Sequence, residues 1–155
     1  IHVTGTITML SDSLKTLLAT SYAFVIKAQN FHWNVEGSNF PQYHKFFDEL
    51  NNEVYENAID RTAEYIRTLE AYTPGSIARY SELSLIPDQL KIPKAHLMMA
   101  ELYNDNEIII SHLNICYDFS EEAKQYGISN FIAERLDAHN KHQWMIRSIL
   151  KTSRE

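Results

Sequence analysis

The chain has 155 residues, of which 45% are hydrophobic, and its formal net charge is −6. This length suits one domain over residues 1–155, and the presence of only 4 Gly and 4 Pro favours long helices over a turn-rich β architecture. The acidic balance disfavours general binding to phosphate backbones, and neither a long apolar run nor a signal-peptide start is present. Because Cys116 is the single cysteine, no disulfide forms within the chain, and we expect a soluble cytoplasmic protein.

Hydrophobic periodicity predicts four long helices and one short one. The first runs from about Ile7 to Asn34, with apolar residues recurring at spacings of three and four. The second runs from about Pro41 to Ala71, and a short helix around Ile77 to Leu83 lies in the connection that follows. The third runs from Pro93 to a C-cap at Gly127, and Ser129 caps the last helix. The pattern predicts an all-α four-helix bundle with a short extra helix between the second and third long helices.

Three groups of potential metal ligands lie around the second helix: His32, then His44 and Asp48, then Asp60 and Glu64. Each of the two pairs is spaced i, i+4, so its side chains share one helix face. Imidazole with carboxylate suits iron, and also other divalent metals such as zinc. Within one chain, however, the groups are separated by roughly 18 to 24 Å. If two copies pair this helix antiparallel about a two-fold axis, two equivalent intersubunit sites result.

Helix geometry adds a condition to this pairing. At about 100° per residue, Asp48 and Asp60 point roughly 120° apart on a regular helix. The apolar stripe slips over the same stretch. Its first part contains Phe47, Leu50 and Val54, and its second part, Ile59, Ala63 and Ile66, lies about one position later than the repeat predicts. One extra residue absorbed between Leu50 and Ile59 reduces the angle to about 20°. We therefore predict a π-bulge in this segment.

The segment FHWNVEGSNFPQYHKFFDEL, with the later IDRTAEYI and HNKHQWMIRSIL, resembles the Dps proteins, or mini-ferritins, and the resemblance covers nearly the whole chain. It implies a ferritin-like bundle in a dodecameric homo-oligomeric shell, with ferroxidase sites at two-fold interfaces. Metal-binding and catalytic roles fall on His32, His44 and Asp48 of one subunit and on Asp60 and Glu64 of its neighbour. The implied activity is iron storage: Fe(II) is bound, oxidised with hydrogen peroxide or O2, and kept as Fe(III) inside the shell, which protects against oxidative damage.

Three features depart from the family pattern. The run from His44 to Asp60 is one residue longer than usual, which the bulge would absorb. Near the start of the last helix, where the family places an acidic residue at its iron pore, this chain has Asn130, with three acidic residues nearby, Glu121, Glu122 and Glu134. Residues 1–14 contain neither Lys nor Arg, and the C-terminal KTSRE is short and mixed, so DNA binding through a basic tail is not expected.

The alternative function is a non-catalytic Dps-like cage that compacts DNA or sequesters metal. No Glu-x-x-His occurs in the sequence, which disfavours the di-iron site that larger ferritins build within one chain. Apart from Asp137, no carboxylate accompanies His139 and His142, and we predict these histidines to be surface or interface residues.

Overall fold

The computed structural model describes residues 4–151, which are helical and contain no strand. The elements in chain order are α1 (Gly5–Asn34), α2 (Phe40–Val54), a π-helical turn (Tyr55–Ile59), α3 (Asp60–Thr68), α4 (Ile77–Leu83), α5 (Ala95–Glu122) and α6 (Tyr126–Lys151). No helix in this part of the chain has the length and apolar character needed to cross a membrane. The first three and last four residues, which belong to the tails considered for DNA binding, lie outside the described range.

The four long helices of the bundle bury one apolar core. In α1, the side-chain oxygen of Thr4 caps the helix by accepting from Ile7 N at 3.2 Å. Leu10, Leu14 and Phe24 of this helix have no more than 1% of their surface exposed, because the three-to-four spacing brings them to one face. α1 packs against α2 and α5, and α5 packs against α6. The predicted all-α bundle is confirmed.

The second long helix of the bundle contains the predicted bulge. α2 passes through the π turn Tyr55–Ile59 directly into α3, so the extra residue is absorbed where the sequence predicts it. The buried stripe then continues at Ala58 and Thr62, while Ile59 and Ala63, which the sequence placed on the stripe, are half-buried. The stripe therefore advances by steps of four from Leu50 to Ile66, longer than the 3.6 residues of an α-helical turn.

The connection after α3 contains the predicted short helix, α4, with the predicted bounds. Ser76 caps it by accepting from Arg79 N at 3.2 Å. Tyr80 of α4 stacks on Tyr22 of α1 with ring centroids 4.9 Å apart, and Leu85 N donates to the Thr20 hydroxyl at 3.1 Å. These contacts attach the connection to the outer face of α1.

Two of the predicted helix ends near the α5–α6 turn are wrong. α5 ends at Glu122, because Lys124 takes a left-handed conformation (φ 58°) and Gln125 N donates to Ser120 O at 2.8 Å, as in a Schellman motif. Gly127, predicted as the C-cap, lies in the first turn of α6. Ser129, predicted as the cap of the last helix, is buried inside it, and its hydroxyl is 2.7 Å from that of Ser120. α3 also ends at Thr68, before the predicted Ala71.

A buried ion pair joins α1 to α5. Lys27 Nζ lies 2.8 Å from Asp105 Oδ2, and each side chain is 3% exposed. Glu101 Oε2 lies 3.8 Å from the same ammonium group. Burial raises the pKa of Asp105, which Lys27 opposes and Glu101 reinforces. The pair thus places charged groups inside the bundle, where removing one partner lowers the free energy of unfolding.

Candidate metal centre

Two of the predicted ligands, His32 and His44, meet where α1 ends and α2 begins. His32 Nδ1 donates to His44 O at 2.6 Å, and His44 Nδ1 donates to His32 O at 2.6 Å. The two rings stack, with centroids 4.0 Å apart and planes 16° apart, and Phe40 stacks on the outer face of His44. The turn between the helices therefore fixes both ring planes.

The reciprocal hydrogen bonds decide which nitrogen is available on each ring. A carbonyl oxygen only accepts, so the proton of each neutral imidazole is on Nδ1. Nε2 of His32 and Nε2 of His44 then carry the free lone pairs. A backbone carbonyl holding the other ring nitrogen is the usual support of a metal-binding histidine.

Asp48 is the third predicted ligand at this end. Its Oδ1 lies 3.8 Å from His32 Nε2, which is too long for a hydrogen bond. Two ligands held at about 2.1 Å from one tetrahedral ion are roughly 3.4 Å apart, so these two groups would have to move slightly closer to bind the same ion. The Asp48 side chain is 48% exposed, so this group of predicted ligands opens to the surface.

The other two predicted ligands, Asp60 and Glu64, lie apart from the histidines on α3. Both are exposed, and within residues 4–151 neither makes a hydrogen bond or an ion pair with another side chain. Asp60 is twelve residues beyond Asp48 along the helix, a rise of roughly 18 Å. No group of three or more His, Cys, Asp or Glu residues in the described part of one chain is arranged to hold a metal ion. Within one chain, the predicted ligands therefore lie in two separated groups.

A largely buried polar network, which no spacing in the sequence predicts, lies beside the π turn. Glu53, the last residue but one of α2, receives two hydrogen bonds from Arg135, at 2.6 and 2.9 Å, and one from His142 Nε2 at 2.6 Å. Partial burial raises the pKa of Glu53, but the hydrogen bonds from His142 and Arg135 outweigh it and hold the pKa well below its usual range. Glu53 is therefore a firmly ionised carboxylate bound to α6.

The network continues inward through a histidine. His139 Nδ1 donates to Asn106 Oδ1 at 2.7 Å, and Arg135 Nη2 donates to His139 Nε2 at 3.0 Å. Burial, with Arg135 and His142 nearby, lowers the pKa of His139 far below its usual value. His139 and His142 are 1% and 8% exposed, so the prediction that they lie at a surface or interface is not met within the chain. The carboxylate partner of His142, Glu53, is more than eighty residues distant in sequence.

Two of the acidic residues near the start of α6 have partners. Glu134 Oε2 accepts from Arg61 Nη1 at 3.1 Å, and the Glu121 carboxylate accepts from Ser129 at 3.0 Å and Tyr117 at 3.1 Å. Glu122 is exposed. The carboxylates of Glu121 and Glu134 thus accept hydrogen bonds from other side chains of the same chain.

Comparison with known proteins adds to this geometry. The model of the ferritin-like domain family matches residues 11–155. A low temperature-induced protein of Nostoc is 32% identical over 149 residues, covering 95% of this chain and 80% of that protein. The Dps protein of Bacillus brevis has a crystal structure with a TM-score of 0.92 and 26% identity, covering 96% of this chain and 99% of that one.

A third likeness, to a Dps protein of Vibrio cholerae, has a TM-score of 0.89 at 24% identity and covers 94% of this chain and 91% of that one. That protein is described as a member of a broad superfamily of ferritin-like diiron-carboxylate proteins. The fold and the matched domain define the present chain as a ferritin-like helical protein. Within that class, it belongs to the Dps family.

Proposed function

We propose that this protein is an iron-storing mini-ferritin that binds Fe(II) between two copies of the chain and oxidises it. The observation that carries the proposal is the reciprocal hydrogen bonding of His32 and His44, which leaves both Nε2 atoms free to bind metal. Membership of the ferritin-like family supports iron as the metal.

The second half of the site comes from another copy. With one residue absorbed in the π turn, Asp48 and Asp60 point within about 20° of each other. When two copies pair α2 and α3 antiparallel, Asp60 and Glu64 of one chain face His32, His44 and Asp48 of the other. This pairing explains why acidic residues without partners remain exposed on α3. The dodecameric shell is proposed on the family resemblance.

The chemistry follows from the ligands. Neutral imidazoles and carboxylates bind Fe(II), so Fe(II) affinity falls as pH drops and protons compete for these groups. Hard carboxylate oxygens favour the Fe(III) product. Two Fe(II) ions each lose one electron, and one hydrogen peroxide molecule takes up both electrons and two protons to form two water molecules. The role of the chain is to hold the ions and the oxidant together at a partly exposed site.

A titration tests this function. Metal-free assembly is titrated anaerobically with Fe(II), hydrogen peroxide is added, and ferric absorbance is followed. We expect saturable binding and rapid oxidation in the wild type, and loss of both in His32→Ala/His44→Ala. His96→Ala, which removes an exposed histidine of α5, is the matched control and should behave as wild type. Equal oxidation rates in the double variant and the wild type would show that the assigned site is wrong.

Complementation tests the sharing of the site between chains. The His32→Ala/His44→Ala chain retains its carboxylates, and an Asp60→Asn/Glu64→Gln chain retains its histidines. Neither should bind Fe(II) tightly alone, whereas each mixed pair formed on co-expression contains one intact site of two. Absence of regained binding in assemblies shown by mass to contain both chains would exclude a shared site. Binding without peroxide-dependent oxidation would instead indicate a metal-holding shell.

A further inference from the structure

The π turn is attached to α6 on both of its sides. Immediately before the turn, Glu53 is bound by Arg135 and His142 of α6 at distances of 2.6 to 2.9 Å. Immediately after it, Arg61 donates to Glu134 of α6 at 3.1 Å. The same helix therefore holds α2 and α3 across the bulge.

The bulge brings these two attachments to the same side of the helix. Glu53 and Arg61 are eight positions apart, so a regular helix would point them roughly 80° away from each other. With one residue absorbed between them, the angle falls to about 20°, and both side chains reach α6. Arg61 is placed further by Phe131, whose ring centroid lies 4.5 Å from its guanidinium carbon. The rotation that aligns these side chains is the rotation that aligns Asp48 with Asp60.

A third contact lies inside the turn itself. Asn57 Nδ2 donates to Glu53 O at 3.0 Å and lies 3.2 Å from Glu53 Oε2. A π turn displaces the backbone hydrogen bonds by one residue. The Asn57 side-chain amide donates a hydrogen bond to the Glu53 carbonyl, just before the turn. Glu53 is thus bound through both its backbone and its carboxylate.

We propose that Glu53 and Arg61 are positioning residues of the metal site: by binding α6 on both sides of the π turn, they hold the extra residue there and fix the direction in which Asp60 and Glu64 project. Neither residue is assigned as a ligand. The inference rests on the proposed function, because it concerns the direction in which Asp60 and Glu64 project toward the metal site of the other copy. It identifies α6 as the element through which this family member accommodates its longer second helix.

The experiment measures binding of Co(II), a redox-silent probe, by its visible absorption in the metal-free assembly. Glu53→Gln keeps the shape of the side chain and removes its charge; Glu56→Gln, an exposed residue of the same turn, is the control. Replacing a group that is hydrogen-bonded to a metal ligand typically changes affinity by about 10- to 100-fold. Because Glu53 acts on the proposed ligands only through the helix, we expect a loss of about tenfold for Glu53→Gln, at the low end of that range, and near-wild-type affinity for Glu56→Gln. Hydrogen exchange of residues 54–60 should rise in Glu53→Gln.

A double-mutant cycle separates positioning from general destabilisation. If Glu53 acts through the carboxylates, Glu53→Gln should cause no further loss of Co(II) affinity in an Asp60→Asn/Glu64→Gln background. Additive losses would show that Glu53 acts otherwise and would overturn the proposal. Arg61→Gln, at a half-exposed position, is the second variant, with Arg79→Gln in α4 as its control. Unchanged Co(II) affinity in folded Arg61→Gln overturns the proposal, whether or not Glu53→Gln assembles.

Co(II) binding by the wild type and by the variants distinguishes the proposed metal site from the positioning role. If the wild type binds Co(II) no better than His32→Ala/His44→Ala, the proposed site is wrong and the positioning role falls with it. If the wild type binds tightly and Glu53→Gln binds equally well, the site stands and only the positioning role is lost.

Discussion

Deleting one residue from the π turn should straighten the second long helix without unfolding the protein. Glu56 is exposed in this turn, and its removal leaves eleven steps between Asp48 and Asp60. Eleven steps of about 100° leave a separation of about 20° on a regular helix, the same as the bulge provides. The buried stripe on either side, including Val54 and Ile66, therefore keeps its direction. We expect the Glu56 deletion to assemble and to bind Fe(II) with an affinity close to that of the wild type.

Deleting Glu49 is the matched control, since the same residue type is removed from the same helix. To recover the register beyond the turn, residues 50–54 must rotate by about 100°. Leu50 and Val54, which are 1% and 0% exposed, then leave the core, and Glu53 turns away from Arg135. Exposing each apolar side chain costs about 1.5–3 kcal/mol, so the two together lower the free energy of unfolding by roughly 3–6 kcal/mol.

The assay is urea unfolding followed by helical circular dichroism at one protein concentration, because assembly contributes to apparent stability. The reasoning is refuted if the Glu56 deletion is destabilised as much as the Glu49 deletion. In that case the π turn would be needed for its own sake and would not be the place where an extra residue is absorbed.

Two further predictions concern buried ionisable side chains. His139 is neutral in the folded chain because its pKa is lowered by burial, so the unfolded chain binds more protons below its ordinary pKa of about 6.5. The free energy of unfolding of metal-free protein should therefore fall as pH drops below about 6.5, by at most about 1.4 kcal/mol per pH unit from this residue, and His139→Gln should flatten that slope; equal slopes in both proteins would contradict the assignment. Asp105→Ala should lower the free energy of unfolding by about 3 kcal/mol, at the low end for a broken buried pair because Glu101 remains near Lys27. Lys27→Met/Asp105→Leu should recover most of that loss, and a double variant as unstable as the single one would show that packing, rather than the unpaired ammonium, causes it.

The sequence was sufficient for the features that depend on local periodicity. Helix positions follow from apolar residues repeating every three or four positions, and the π-bulge follows from a slip of one position in that repeat. The spacing of His32, His44 and Asp48 also indicated one half of a site, because the i, i+4 rule and a short turn bring them together.

The sequence alone was insufficient where a contact joins distant helices. Glu53, His139 and His142 carry no local signal, since Glu53 meets its partners in α6 only after the bundle has formed. The end of α5 at Glu122 and the start of α6 at Tyr126 also depended on contacts between the two helices, because Ser129 is buried against Ser120 and cannot serve as an exposed cap. Periodicity thus determined the helices and the need for an extra residue. Tertiary structure decided how that residue is held, because hydrogen bonds between a partly buried carboxylate and another helix depend on direction in space and leave no period in the chain.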